Sequence, residues 1–260
     1  MIEEIIRIAD GAAAIVMRHY ATKLDVEYKI GDDPVTAADK EANAFICAAL
    51  ERAFPGVPIV AEESDESTFD ARRGADACFF VDPLDGTRDF VAKNGEFAVM
   101  IGLARKGRAA LGVVNAPEWG RTFVGEVGGR AFEIARDGSR RDIRVSSVED
   151  IANARCLVSR SRTTDETLAL LAKLGITHIR KLGSAGLKAA VVACGEADAW
   201  LQPSASAGGK LWDTCGPEAI TRAAGGVFSQ IDYAEGPLEL PGILVASTEK
   251  LYARLSGLER

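Results

Sequence analysis

An α/β protein with two unlike halves is predicted by three features of the chain. Two amphipathic helical stretches open it, a long series of short apolar strand segments follows, and from about residue 148 strand and helix signals alternate. Helices followed by closely spaced strands describe helices laid on a large, mainly antiparallel sheet, whereas alternation describes an α/β layer. We therefore expect an α+β half over residues 1–147 and an α/β half over 148–260, with the functional cleft between them.

Residues 2–20 place Ile5, Ile8, Ala12, Ile15 and Val16 on one helical face, and 36–54 do the same with Ala42, Phe45, Ile46, Ala49 and Leu50. Thr36 and Asp39 have the spacing of a capping box. Strands are expected at 57–61, 78–81, 97–104, 109–115, 122–127, 131–135 and 142–145, with turns at Lys106-Gly107, Gly128-Gly129 and Asp137-Gly138. The second half is expected to run strand 155–159, helix 165–174, strand 177–181, helix 185–195, strand 197–201, a helix from near Pro217 to 224, and strand 227–230. Residues 202–209, rich in Ser, Ala and Gly, are expected to form a loop or mobile flap.

A chain of 260 residues with 47% hydrophobic content has ample material for a packed core. Its longest apolar runs, such as 12–17, are too short to cross a bilayer, and Glu3 and Glu4 stand where an export leader would be basic. Neither a membrane span nor a leader is expected. Five cysteines, scattered and without a C-x-x-C pair, indicate reduced thiols and a cytoplasmic location, with peripheral association at the membrane face left open. His19 and His178 are too few for a zinc site, which leaves hard-oxygen chemistry. A net charge of −7 argues against polymeric nucleic acid, which requires a basic face. A small anionic phosphorylated partner remains compatible, because cations gathered in one cleft reverse the local potential. Both a monomer and a homodimer are consistent with this composition.

The chemistry concentrates in three carboxylates. Glu62 ends one apolar strand segment, and Asp82 and Asp85 follow the run Cys78-Phe79-Phe80-Val81, where Pro83 and Asp85-Gly86 force a turn. Carboxylates held this close repel unless a cation neutralises them, and Mg²⁺ takes octahedral oxygen ligands. An EF-hand is excluded, since counting from Asp82 puts glycine fifth and Lys93 at the twelfth place, where Glu belongs. Neither G-x-x-x-x-G-K-[ST] nor G-x-G-x-x-G occurs. Taken singly, Asp85-Gly86 is a common turn, Asp39 a helix cap, and Asp213 a residue just before a helix starting at Pro217.

Four motifs in one order carry more weight than any of them alone. The helix start from Asp33-Pro34 through Thr36 to Asp39, the strand end Glu62-Glu63, Asp82-Pro83-Leu84-Asp85-Gly86-Thr87, and Trp212-Asp213 together resemble a magnesium-dependent, lithium-sensitive phosphatase family. That family includes inositol monophosphatase, fructose-1,6-bisphosphatase and the 3'(2'),5'-bisphosphate nucleotidases. The resemblance covers nearly the whole chain. It implies a layered αβαβα sandwich of the fructose-1,6-bisphosphatase and inositol-monophosphatase kind, with Glu62, Asp82, the Leu84 carbonyl, Asp85 and Asp213 holding two or three Mg²⁺ ions. Lys93-Asn94-Gly95-Glu96-Phe97, Ser159-Arg160-Ser161, Leu111-Gly112-Val113-Val114 and Trp212-Asp213-Thr214-Cys215-Gly216-Pro217-Glu218 resemble the nucleotidase branch most.

The resemblance also implies roles. Asp82 would bridge two ions, Glu62 and Leu84 would complete one, and Asp85 and Asp213 the other. Thr87 and Asp39 resemble the pair that activates the attacking water. The backbone at Gly86 and Thr87 would face the phosphate from the start of a short helix over 87–90. Ser159, Arg162, Ser184 and Lys188 would meet the second phosphate and the nucleoside, alongside Glu62, Leu84, Asp85, Gly86, Thr87 and Asp213 at the substrate. Arg162 stands where the family commonly carries His. Lys188 is the strongest of these, since it interrupts an apolar helix near its start, with a snorkelling surface lysine as the ordinary alternative. Arg160 and Lys210 are weaker candidates, Glu63 reads as a solvated or supporting charge, Trp212 as packing, and Cys215 lacks a neighbouring base. The expected activity is hydrolysis of adenosine 3',5'-bisphosphate by direct in-line attack of water, with inhibition by lithium. Inositol monophosphate or fructose 1,6-bisphosphate as substrate, and a non-catalytic metal and nucleotide sensor, are the alternatives.

Overall fold

The computed structural model describes residues 1–22, 26–29, 33–202 and 209–257. In chain order its elements are α1 (Ile2–Tyr20), β1 (Val26–Lys29), β2 (Asp33–Thr36), α2 (Ala37–Ala53), β3 (Ile59–Ala61), β4 (Ala77–Asp85), α3 (Thr87–Val91), β5 (Ala98–Arg105), β6 (Arg108–Ala116), β7 (Arg121–Glu126), β8 (Ala131–Ala135) and β9 (Arg140–Asp142). There follow β10 (Arg155–Ser159), α4 (Asp165–Lys173), β11 (His178–Leu182), α5 (Ala185–Ala193), β12 (Ala199–Gln202), α6 (Leu211–Ala223), β13 (Val227–Phe228), β14 (Ile243–Ala246) and α7 (Glu249–Ser256).

β3 to β9 form one sheet in sequence order, parallel only between β3 and β4. A second, mixed sheet has the order β11-β10-β12-β14-β13, and β1 pairs with β2 in a hairpin. The period of two along each strand sorts side chains between layers. Phe79, Val81, Val99, Ile101 and Leu103 face a core shared with Ile5, Ile8, Ala12, Ala42 and Ile46 of the opening helices. Their neighbours Cys78, Phe80, Ala98 and Met100 face the opposite core, where α5 and α6 supply Leu187, Val191, Cys215 and Ile220. That core also receives Leu157, Trp200 and Val245 from the second sheet, whose other face sends Cys156, Val158, Leu201 and Leu244 against Leu171 and Leu251 of the outer helices. The result is the expected αβαβα layering.

Several boundaries differ from expectation. β4 does not stop at Val81 but continues through Asp85, with a register shift between Asp82 and Asp85 as it pairs with β5. That irregularity turns both carboxylates without ending the strand. α6 begins at Leu211 rather than near Pro217, which lies inside the helix, and Asp213 accepts from the Lys210 N–H at 2.7 Å as a first-turn cap. The strand expected at 142–145 leaves the sheet at Asp142, and Val145 instead donates its N–H to the Ala224 carbonyl. The β1–β2 hairpin, β14 and α7 carry too short or too polar a pattern to be anticipated. The flap expected at 202–209 falls, over 203–208, outside the described residues.

Candidate active site

One cleft between the two sheets is lined by Glu62, Asp82, Leu84, Asp85, Gly86, Thr87, Ser159, Arg162, Ser184, Lys188 and Asp213. Every anticipated site residue except Asp39 lies on this lining, and Asp39 sits directly behind Thr87. The Thr87 hydroxyl is 3.1 Å from Asp39 Oδ1 and 3.0 Å from the Leu84 carbonyl, two acceptors for its single proton. Asp39 also completes the capping box of α2, taking the Thr36 N–H and hydroxyl on Oδ2, both at 2.7 Å. Burial, reinforced by Glu63, outweighs these bonds and raises its carboxyl above the ordinary range.

The irregular end of β4 delivers the acidic wall. Asp82 Oδ1 accepts from the Leu84 N–H at 2.9 Å, and Asp85 Oδ2 accepts from the Ser184 hydroxyl and from the Gly186 N–H at 2.7 Å. Burial, with Glu62, Asp85 and Asp213 as neighbouring like charges, holds the Asp82 carboxyl well above its usual range. Asp213 is pushed up to about 6 by loss of hydration and by Asp85. Gly86 takes φ +92° at the start of α3, and a Cβ there would stand 2.7 Å from the Glu96 carbonyl, so the turn beside Asp85 requires glycine.

The same lining also carries the cationic side chains of Lys188 and Arg162. Lys188 is buried, not snorkelling: its Nζ donates to Ser184 O at 2.6 Å and lies 5.1 Å from the Trp200 ring centre. Burial pulls its ammonium down to about 8, against the attraction of Asp85 and Asp89. Ser159 Oγ accepts from the Arg162 N–H at 3.2 Å, fixing the loop that carries both.

The weaker candidates settle elsewhere. Arg160 pairs with Glu96, and Lys210 with Glu239. Trp212 packs edge-on against Phe69, and burial drives the Cys215 thiol well above its usual range, which removes it as a nucleophile. Sequence reasoning missed Pro34, Arg88, Asp89, Ser161, Gly183 and Gln202 on the cleft lining. Arg88 and Asp89 follow Thr87 on the same short helix, and that adjacency is the available signal.

Among the described residues, no three His, Cys, Asp or Glu side chains close on one point as a ready ion cage. The donor chemistry nevertheless fits a hard divalent cation: the wall is oxygen-only, and the Asp82 carboxyl is raised partly by like-charge repulsion that a cation would relieve. Among the described residues no helix is long and apolar enough to cross a membrane.

The profile of the inositol monophosphatase family matches residues 1–258, and the chain belongs to that family. Among curated relatives it is similar to the 3'(2'),5'-bisphosphate nucleotidase CysQ of Salmonella typhimurium, 35% identical over 227 residues, which cover 86% of this chain and 88% of that protein. The CysQ protein of Escherichia coli strain K12 is 34% identical over 227 residues, with 86% and 88% covered. Among solved structures, CysQ from Bacteroides thetaiotaomicron superposes with a TM-score of 0.78 at 28% identity, over 95% of this chain and 97% of that one. The extragenic suppressor protein suhB from Bartonella henselae gives 0.81 at 25%, over 99% and 97%.

Proposed function

We propose that this chain is a Mg²⁺-dependent 3'(2'),5'-bisphosphate nucleotidase that converts adenosine 3',5'-bisphosphate to AMP and phosphate. The observation that carries the reading is the mixed charge of one cleft, whose lining holds Glu62, Asp82, Asp85 and Asp213 together with Lys188, Arg162 and Ser159. A substrate with two phosphates suits such a cleft, one phosphate reacting beside the carboxylates and the other held by the cationic side chains. The similarity to CysQ relatives supports the same choice.

Glu62, Asp82, the Leu84 carbonyl, Asp85 and Asp213 would hold two or three Mg²⁺ ions, which supply charge neutralisation at the ester and lower the pKa of water. Thr87, with its proton on Asp39, turns its lone pairs to an attacking water and orients it. Water attacks phosphorus in line, the bond to the ribose 3'-oxygen breaks, and that oxygen takes the proton that the water gives up, leaving AMP and phosphate. Lys188 and Arg162 position the distal phosphate, and Gly86 lets the backbone approach the reacting one. Residues 1–147 thus contribute Glu62, Asp82 and Asp85, and 148–260 contribute Asp213, Arg162 and Lys188. Five free cysteines suit a reducing cytoplasm.

The test compares kcat/KM for adenosine 3',5'-bisphosphate, inositol 1-phosphate and fructose 1,6-bisphosphate. The nucleotide should lead by at least about 10-fold, as a site with polar groups built for one substrate discriminates against others. Preference for either of the other two would replace the nucleotidase reading.

A further inference from the structure

Two motifs remain without a role in this chemistry: Glu96, in Asn94-Gly95-Glu96-Phe97, and Arg160, in Ser159-Arg160-Ser161. They meet across 64 residues of chain. Arg160 Nε donates to Glu96 Oε2 at 2.7 Å and Nη2 to Oε1 at 2.5 Å, a bidentate pair. The same Glu96 Oε2 accepts the Gly183 N–H at 2.7 Å, and Arg160 Nη2 reaches the Lys181 carbonyl at 3.2 Å.

Gly183 precedes the strained residue of the cleft. Ser184 has φ +56° and ψ +129°, a backbone combination that residues other than glycine rarely adopt. Its hydroxyl donates to Asp85 and accepts from the Leu187 N–H at 3.0 Å, so it is already committed between the acidic wall and the start of α5. Its carbonyl receives Lys188 Nζ. The fit around Gly183 is close: a Cβ would stand 2.3 Å from Asp89 Oδ2 and 2.9 Å from the Glu96 carbonyl. Burial alone would raise the Glu96 carboxyl, yet Arg160 and the Gly183 N–H hold it below the ordinary range.

We propose that Glu96 and Arg160 form a positioning latch: it clamps Gly183, holds Ser184 in its strained turn, and thereby seats Asp85 and Lys188 while tying down the loop of Ser159 and Arg162. The kinetic part rests on the nucleotidase reading. The two motifs are thus two halves of one contact, and Ser184 acts on Asp85 rather than on substrate.

The experiment follows amide hydrogen exchange over residues 183–188, and kinetics with adenosine 3',5'-bisphosphate, in the full chain and in Glu96→Ala, Glu96→Gln, Arg160→Ala and the double alanine variant. The latch predicts exchange about 10-fold faster at Gly183 and Gly186 in Glu96→Ala, and a smaller rise in Glu96→Gln, whose amide oxygen still accepts from Gly183 and Arg160 Nε while its NH2 loses the Arg160 Nη2 contact. It predicts a fall in kcat/KM of about 10-fold in each alanine variant, partial recovery in Glu96→Gln, and no further loss in the double variant. Unchanged exchange in Glu96→Ala, or losses that multiply in the double variant, overturns it. Arg160→Ala supplies the same exchange readout should Glu96→Ala not fold. A parent chain that releases no phosphate from the nucleotide defeats the nucleotidase reading, while exchange still decides the latch.

Discussion

Thr87 and Asp39 turn a helix cap into part of a proposed reaction centre. Asp39 must be ionised to accept from Thr36 and Thr87 together, and its raised carboxyl takes up a proton at a higher pH than a free aspartate. As pH falls through that raised value the acceptor is lost, so the acid limb of kcat/KM should lie above the ordinary value of 3.8. Asp39→Asn should remove that limb and lower kcat by about 10² to 10⁴, with Thr87→Ser milder than Thr87→Ala, as pH-rate profiles would show. The motif from Asp82 to Thr87 is legible in the sequence because strand end, turn and helix start are contiguous. The Glu96–Arg160 contact is not, since nothing in local pattern joins residues 64 apart.

The placement of Asp213 depends on how closely α6 lies on the first sheet. Cβ atoms at Gly102 and Gly112 would stand 2.4 Å from Gly216 N and 2.1 Å from Gly216 O, so helix and strand backbones touch. Gly112→Val should lift the helix, cost about 1–3 kcal/mol in urea unfolding, and weaken catalysis by moving Asp213. Equal stability and equal activity in that variant would show that the close approach does not set the site. Helices α1 and α2 are readable from their apolar stripes, because each buries one face against a single sheet. The start of α6 is hidden because Pro217 signals a helix start, whereas Asp213 capping Lys210 and packing against the glycines extend the helix before it.

At the scale of the whole molecule, five layers bring acidic side chains from β4 and α6 into one cleft, where their repulsion opposes folding in the absence of cations. Asp213 is raised from 3.8 to about 6, so the protonated state favours the fold and that contribution is lost as pH rises from 3.8 through 6. In EDTA, Asp213→Asn should therefore gain stability over the parent across that window, and added Mg²⁺ should erase the advantage; thermal melts at several pH values measure both. The alternation of strand and helix announces the second layer of sheet, but the mixed order of its strands stays hidden, because β14 pairs with β12 after a long excursion through α6. The most direct measurement is phosphate release from adenosine 3',5'-bisphosphate by the parent chain and by Asp82→Asn, with Mg²⁺ and with excess EDTA. The account predicts turnover only in the parent with Mg²⁺, at least about 10³-fold above the other three conditions. Comparable release by Asp82→Asn, or by the parent in EDTA, would contradict it.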